Sequence, residues 1–364
     1  MRRLLSEFGR KLNVSVFGGS HEPFIGVTVK GLPKGQKIDM GRVQEFLSRR
    51  APGNNAFSTS RKESDTATVK SGLHSGVTFG PPVTIIIENN DIVPSNYRDF
   101  FNKPRPSHAD YTARLKYGDS LNMSGGGPFS GRMTAPLCIA GAIAVQMLEN
   151  YGVTVGAHIF SVGKIADEAF DAVNVSKEKL LSLVKDPFPV LSENAGLAMR
   201  EAIFSAKEAG DSIGGTVEVC ALGVPAGVGG PMYDGVESVL APIFFGIPAV
   251  KAVEFGAGIR SSGLKGSENN DAFYFADDGT VRTRTNNHGG ILGGITSGMP
   301  VITRLAFKPT PSISVPQDSV NLETGEDEKL VIKGRHDPCI VPRAVPVAEA
   351  AMAIGLLDLI LSGG

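Results

Sequence analysis

The segment APLCIAGAIAVQML, Ala135 to Leu148, decides the fold class. Its apolar residues occupy most of the helical circumference instead of one stripe, and a helix of that kind has to be surrounded by protein. Pro136 falls in the first turn, where its missing N–H costs little, and Thr134 is placed to cap the helix. The run ends at Glu149 and falls short of the roughly 20 residues that cross a bilayer. A second run, AVPVAEAAMAIGLLDLIL from Ala344 to Leu361, is again almost wholly apolar. Strand patterns are numerous: Leu12 to Phe17, Val83 to Ile87, Thr216 to Val224, Val301 to Phe307 and Leu330 to Ile332. Met40 to Arg50 has helical apolar spacing at Met40, Val43, Phe46 and Leu47, and Ser176 to Val184 and Pro189 to Glu208 read as surface helices. Strands and helices do not alternate regularly, which argues against a doubly wound sheet. The expected class is α+β, with buried helices against mainly antiparallel sheets in a single domain over residues 1–364.

Composition narrows the function. Lys and Arg number 36 against 37 Asp and Glu, so no global field attracts nucleic acid, and an anion site has to come from local clustering. Cys138, Cys220 and Cys339 are odd in number and widely spaced, offering neither a disulfide framework nor a metal-binding pair, and free thiols suit a reducing cytoplasm. Arg2, Arg3, Arg10 and Lys11 have no uninterrupted apolar run between them, so no signal peptide is expected. The 45 glycines and 23 prolines point to many tight turns and backbone-lined loops.

Five turns combine glycine with groups that bind anions or move protons. FGGSHEPFIG (Phe17 to Gly26) places Ser20 and His21 in a turn after a strand, where a histidine can donate a proton near neutral pH; a loop histidine making one backbone hydrogen bond is the plainer reading. RRAPGNNAFSTSRKESD (Arg49 to Asp65) gathers Arg49, Arg50, Arg61 and Lys62 in a polar loop, suited to carboxylate or phosphate, or simply solvated. KPRPSHADYTARLKYG (Lys103 to Gly118) sets His108 near Asp110, Arg114 and Lys116; the alternative is a helix start capped by Ser107 or Asp110. NMSGGGPFSGRMT (Asn122 to Thr134) is a Gly-rich loop running into the buried helix, where backbone N–H groups meet phosphate. Gly126 and Gly131 have P-loop spacing, but Arg132 and Met133 stand where Lys and Ser or Thr belong, which excludes nucleotide hydrolysis by that motif. Near the C-terminus, NNHGGILGGITSG (Asn286 to Gly298), KPTPS (Lys308 to Ser312) and GRHDP (Gly334 to Pro338) follow in order. Their recurrence raises the expectation that they converge on one site.

In this order the stretches resemble chorismate synthase over nearly the whole chain, most specifically at RPSHADYTARLKYG, GDSIGG (Gly210 to Gly215), NNHGGILGGITSG, FKPTPSI and KGRHDPCIVPRAVPVAEA. The resemblance implies a β-α-β sandwich and a homotetramer. It implies a lyase of the shikimate pathway to aromatic amino acids, which removes phosphate from C3 and hydrogen from C6 of 5-enolpyruvylshikimate 3-phosphate to give chorismate. The reaction needs reduced FMN, hence a flavin-reducing system. It also implies roles: His21 to protonate the departing phosphate, His108 to protonate or stabilise the reduced flavin, and Asp337 beside the flavin to assist loss of the C6 hydrogen. Ser20, Arg50, Arg105 and Arg132 correspond to positions that hold substrate or NADP anions. Pro128, Phe129, Ser130, Ala249, Gly293, Lys308, Pro309, Thr310, Pro311, Ser312 and Arg335 correspond to FMN-contacting positions, and no metal is implied.

The chain departs from the family's usual GESHG at Gly19 and Glu22, has Ala56 where an arginine is usual, and reads GGGPFSGRMT where GGGRSSARET is usual. Pro128 brings neither charge nor N–H, so weaker or shifted FMN binding is expected. Two other readings stay open at this point: a paralogue that binds without turnover, and a flavin reductase using NADPH. A Rossmann glycine fingerprint after a strand is missing, as is a nucleic-acid reader motif.

Overall fold

The computed structural model describes residues 6–53, 65–89, 100–332 and 336–363. Along the chain come β1 (Ser6–Phe8), β2 (Asn13–Gly18), β3 (Phe24–Lys30), helix α1 (Met40–Arg50), β4 (Thr68–Ser71), the small ribbon β5 (Leu73–His74) and β6 (Val77–Thr78), and β7 (Val83–Glu88). Five of these strands form a first sheet in the order β1-β2-β3-β7-β4. Then follow α2 (Asp110–Tyr117), α3 (Thr134–Leu148), β8 (Thr154–Val162), β9 (Ile165–Ala166), α4 (Lys177–Val184), α5 (Glu193–Glu208), β10 (Gly215–Leu222), α6 (Val236–Phe245) and β11 (Val250–Phe255). The chain continues through α7 (Gly266–Asn269), ribbons β12 (Phe273–Phe275) with β13 (Val281–Thr283) and β14 (Ile291–Leu292) with β15 (Ile295–Thr296), and β16 (Val301–Phe307). It closes with ribbon β17 (Gln317–Asn321) and β18 (Glu326–Leu330), and α8 (Val341–Leu361). The second sheet runs β11-β16-β10-β8-β9. Every strand pairing among the described residues is antiparallel.

The period-2 pattern explains the first sheet. Ile25, Val27 and Val29 of β3 pair with Ile87, Ile85 and Val83 of β7, and all six are buried on one face. That face receives α3, which packs in turn on α8, and α8 covers β8 and β10 of the second sheet. The helices are therefore apolar all round because a sheet or another helix lies on nearly every side, as expected for this α+β, β-α-β arrangement. α3 and α8 approach closely because Gly141 faces Ala350; a Cβ at Gly141 would overlap the Ala350 Cα and Cβ. The two carboxylates inside α8 are each hydrogen-bonded. Glu349 receives Arg49 through two bonds of 2.6 and 2.9 Å, and Asp358 accepts the backbone N–H groups of Arg10, Lys11 and Leu12.

Several local expectations are corrected. Thr134 does not cap α3 but is its first residue, and its hydroxyl donates to the Gly131 carbonyl at 2.6 Å. Likewise α2 has Ala109 at its N-cap with no side-chain cap, because Asp110 turns back to Arg105. Ser192 caps α5, so that helix starts at Glu193 and not at Pro189. Arg49 and Arg50 lie in the last turn of α1, and Arg49 serves the core pair with Glu349. Arg61, Lys62 and Ala56 lie outside the described residues.

Candidate active site

A cavity of about 430 Å³ opens where α1, the Gly-rich loop before α3, the loop before α2, the end of β16 and the start of α8 meet. From the sequence-expected residues it collects Arg50, Arg105, His108, Phe129, Ser130, Arg132, Ala249, Lys308, Thr310, Pro311, Ser312 and Asp337.

The loop before α2 supplies a preorganised cluster. The Asp110 carboxylate accepts the Arg105 backbone N–H at 3.1 Å and its guanidinium at 2.7 and 2.8 Å, and lies 2.6 Å from His108 Nδ1. Burial alone would raise the Asp110 carboxyl; the hydrogen bonds from Arg105 and then His108 outweigh it and hold it well below the usual carboxylate range. With Nδ1 engaged, the Nε2 edge of His108 faces Gly126 of the Gly-rich loop. Arg105 also stacks over Phe100, 4.6 Å from the ring centroid, and donates to the Ser312 hydroxyl at 3.2 Å, which ties this loop to KPTPS.

The Gly-rich loop folds into short 3-10 turns instead of continuing α3 backwards. Gly125, Gly126 and Gly127 have φ of 63°, 89° and 51°, conformations a side chain resists. A Cβ at Gly125 would collide with the ring of His21, so glycine there lets that imidazole lie against the loop. The Ser20 N–H donates to the Gly127 carbonyl at 3.3 Å and fixes the FGGSHE turn, which spans residues 19–23 between β2 and β3. Ser20 and His21 are buried beside the cavity but are not among the residues that line it. Phe129 is 38% exposed, lines the cavity and meets Tyr117, whereas Pro128 does not line it.

The opposite wall carries arginines. Arg50 donates to the Thr134 hydroxyl (3.0 Å), the Asp65 carboxylate (3.0 Å) and the Gly131 carbonyl (3.1 Å). Arg132 donates to the other Asp65 oxygen (2.8 Å) and to Asn89 Oδ1 (2.7 Å). Burial, then Arg343, then Arg132 lower the Arg50 guanidinium to about 10, against the raising effect of Asp65. Arg343 of α8 donates to Asp337 and to the Arg50 carbonyl. Arg343 thus gives Asp337 an arginine partner from α8, and Arg335 of the GRHDP stretch lies outside the described residues.

KPTPS forms the remaining edge. Lys308 donates to the Ser107 carbonyl at 2.7 Å, and burial, then Lys251, lowers its ammonium below the usual lysine value. Its backbone N–H bonds to Ala249, whose φ of 74° is strained for a residue with a Cβ. The GDSIGG stretch buttresses this edge: the Ser212 hydroxyl donates to the Thr310 carbonyl, and the Ile213 N–H to the Pro338 carbonyl. Pro309 and Gly293 are not cavity-lining residues; Gly293 sits exposed in the β14–β15 turn. The sequence reading left out Asp65, Asn89 and Arg343 as site residues, and named Asp110 beside His108 without its pairing to Arg105. Arg343 had a signal, a cation immediately before the expected buried helix and shortly after Asp337.

Counted formally among the described residues, Arg50, Arg105, Arg132, Arg343 and Lys308 face three carboxylates, Asp65, Asp110 and Asp337. The site therefore carries a surplus of positive charge in a chain whose net charge is −1. It can hold a polyanion and offer it histidine protons in a partly dehydrated setting.

The family model for chorismate synthase matches residues 12–361. A chorismate synthase of Methanocella arvoryzae is 46% identical over 98% of this chain and 94% of its own length; one of Korarchaeum cryptofilum is 44% identical over 97% of each. A solved chorismate synthase crystal structure, 27% identical, superposes with a TM-score of 0.73 over 98% of this chain and 93% of its own.

Proposed function

This chain belongs to the chorismate synthase family, and from that premise we propose that it converts 5-enolpyruvylshikimate 3-phosphate to chorismate by FMN-dependent anti-1,4-elimination. It is then a carbon–oxygen lyase acting on a phosphate, the last common step towards the aromatic amino acids. The C3–O bond breaks and phosphate leaves; a hydrogen leaves C6; a diene forms with no net oxidation. The observation that carries the reading is the convergence of buried Arg50, Arg105 and Arg132 with Lys308, His108 and Asp337 on one cavity.

The residues fit a flavin and a phosphate-bearing acid. The Thr310 hydroxyl is buried without a hydrogen-bond partner among the described residues, beside Ser312 and Lys308, so this edge has donors to offer a ligand. Lys308, Thr310, Pro311, Ser312, Ala249, Ser130 and Phe129 would hold FMN; Pro128, Pro309, Gly293 and Arg335 belong to the same proposal through the family's pattern. When bound, reduced FMN supplies an electron-rich partner for the loss of phosphate. Arg50, Arg105 and Arg132 bind and orient the anionic groups. His21, with Ser20 beside it, protonates the leaving phosphate. His108, oriented by Asp110, would hold a proton for the flavin, and Asp337, held by Arg343, would assist loss of the C6 hydrogen.

The chain acts in this reading as one domain, in the cytoplasm, as a homotetramer supplied with reduced flavin by a reducing system. Incubated anaerobically with chemically reduced FMN and 5-enolpyruvylshikimate 3-phosphate, the protein should release chorismate and inorganic phosphate in equal amounts. Flavin bound with no chorismate formed would instead leave a binding paralogue.

A further inference from the structure

We propose that Asp65 is a positioning residue: its carboxylate is the shared counter-ion that holds the Arg50 and Arg132 guanidiniums side by side on one wall, where they take an anionic group of the substrate. The inference rests on the proposed function and assigns a role to a residue that is not itself among those lining the cavity.

The geometry is that of a clamp. One Asp65 oxygen takes Arg50 at 3.0 Å and the other takes Arg132 at 2.8 Å, and all three side chains are at least nine-tenths buried. Two buried guanidiniums repel each other and each loses its hydration, so without a common anion neither would stay where it is. The carboxylate is itself pinned through the backbone. Gln44 of α1 donates from its side-chain amide to the Asp65 carbonyl at 2.6 Å and accepts the Ala67 N–H at 3.0 Å. The far ends of the arginines are also tied, Arg50 to Thr134 and Gly131, Arg132 to Asn89, whose amide in turn donates to the carbonyls of Gly19 and Glu22 in the His21 turn. Asp65 is thus the hub between α1, the Gly-rich loop and the turn carrying His21.

The charge count separates this cluster from a purely structural pair. Arg49, next to Arg50, meets Glu349 in a neutral bidentate pair in the core. Asp65 instead meets two arginines at once among the described residues, and both of them line the cavity. An asparagine at 65 would keep the shape but turn an N–H group towards an arginine donor, so it cannot serve both cations.

The test is Asp65→Asn in the full chain, assayed anaerobically with reduced FMN beside thermal melting. The KM for 5-enolpyruvylshikimate 3-phosphate is expected to rise about ten-fold or more, the scale of one lost charge-assisted contact. That rise should steepen at alkaline pH. Arg50 would then face Arg343 of α8, Arg132 of the loop and the Cys138 thiol of α3 without the Asp65 charge that keeps it protonated. Wild-type KM and pH dependence in a folded Asp65→Asn would overturn the inference. A second variant covers the case in which Asp65→Asn does not fold. Asp65→Asn with Arg132→Met removes the repulsion between the guanidiniums and strands only Arg50, so it should fold, with a KM above that of Arg132→Met alone. An unfolded double variant, or one whose KM equals that of Arg132→Met alone, would equally overturn it, because Asp65 would then do nothing for the position of Arg50. Lack of turnover in the wild type would sink the proposed function instead.

Discussion

The molecule buries two clusters of charge, and they differ in balance. On the second sheet His158 lies fully buried between Asp167 (3.1 Å) and Glu218 (3.0 Å), and Arg304 takes the other Glu218 oxygen at 2.8 Å. The remaining lone pairs are met by the backbone N–H groups of Leu191, Ser192 and Phe170. With His158 protonated, two cations answer two carboxylates and nothing is left for a ligand. Among the described residues the cavity places five cations against three carboxylates and leaves the Thr310 hydroxyl unengaged. Balanced burial is a structural device; unbalanced burial is tolerable only where an anion comes to complete it.

Breaking each cluster should therefore have a different consequence. In the cavity the largest effect falls on turnover. His21→Ala should lower kcat on the order of 10²–10⁴-fold with little change in FMN affinity, and His108→Ala should also change the pH profile of flavin chemistry. Steady-state kinetics over pH check both. In the balanced cluster, Glu218→Gln should cost about 3–5 kcal/mol in denaturant unfolding, since it strands His158 and Arg304, while turnover per folded molecule stays the same.

Gly141→Ala separates both effects from plain packing. It pushes α3 off Ala350 and should cost about 1–3 kcal/mol in the same unfolding measurement without altering substrate KM. In the Gly-rich loop, Pro128→Arg with Phe129→Ser should tighten FMN about ten-fold by fluorescence titration, the scale of one added charge-assisted contact; no gain would mean that the loop's departures are neutral.

The balanced cluster also fixes a pH signature. Burial alone would lower the His158 imidazole, but its bonds to Asp167 and Glu218 outweigh that and raise it above its ordinary 6.5. The stability it contributes is full below 6.5 and is lost as pH rises through the raised value. Burial alone would raise Asp167 and Glu218, but the His158 hydrogen bond together with backbone N–H bonds at Asp167, and with Arg304 and the Phe170 N–H at Glu218, outweighs it and depresses both, so their contribution holds above the ordinary carboxylate values and falls away as acid reaches the lowered ones. Melting temperature should therefore be highest in the mildly acidic range, and His158→Gln should flatten the alkaline fall.

What was legible in the sequence followed burial. α1 and β16 have their expected bounds, Met40–Arg50 and Val301–Phe307, because each pairs a clear apolar period with a polar face or a buried sheet position. The segment expected at Leu330 to Ile332 is strand only up to Leu330: β18 is EDEKL, a ribbon with almost no buried face and hence no period to read. The cavity's arginines and His108 were visible as local clusters. Asp65 and Arg343 were not, since their significance is a pairing across long sequence separations that only the packing of α1, α3 and α8 creates.

The unbalanced charge of the cavity is tested most directly by calorimetric binding, with FMN present, of 5-enolpyruvylshikimate 3-phosphate against the same molecule lacking its phosphate. The phosphate-bearing ligand should bind at least about 100-fold more tightly, the scale of two charge-assisted contacts, with an affinity that weakens as salt rises. Equal affinities, insensitive to salt, would contradict the account.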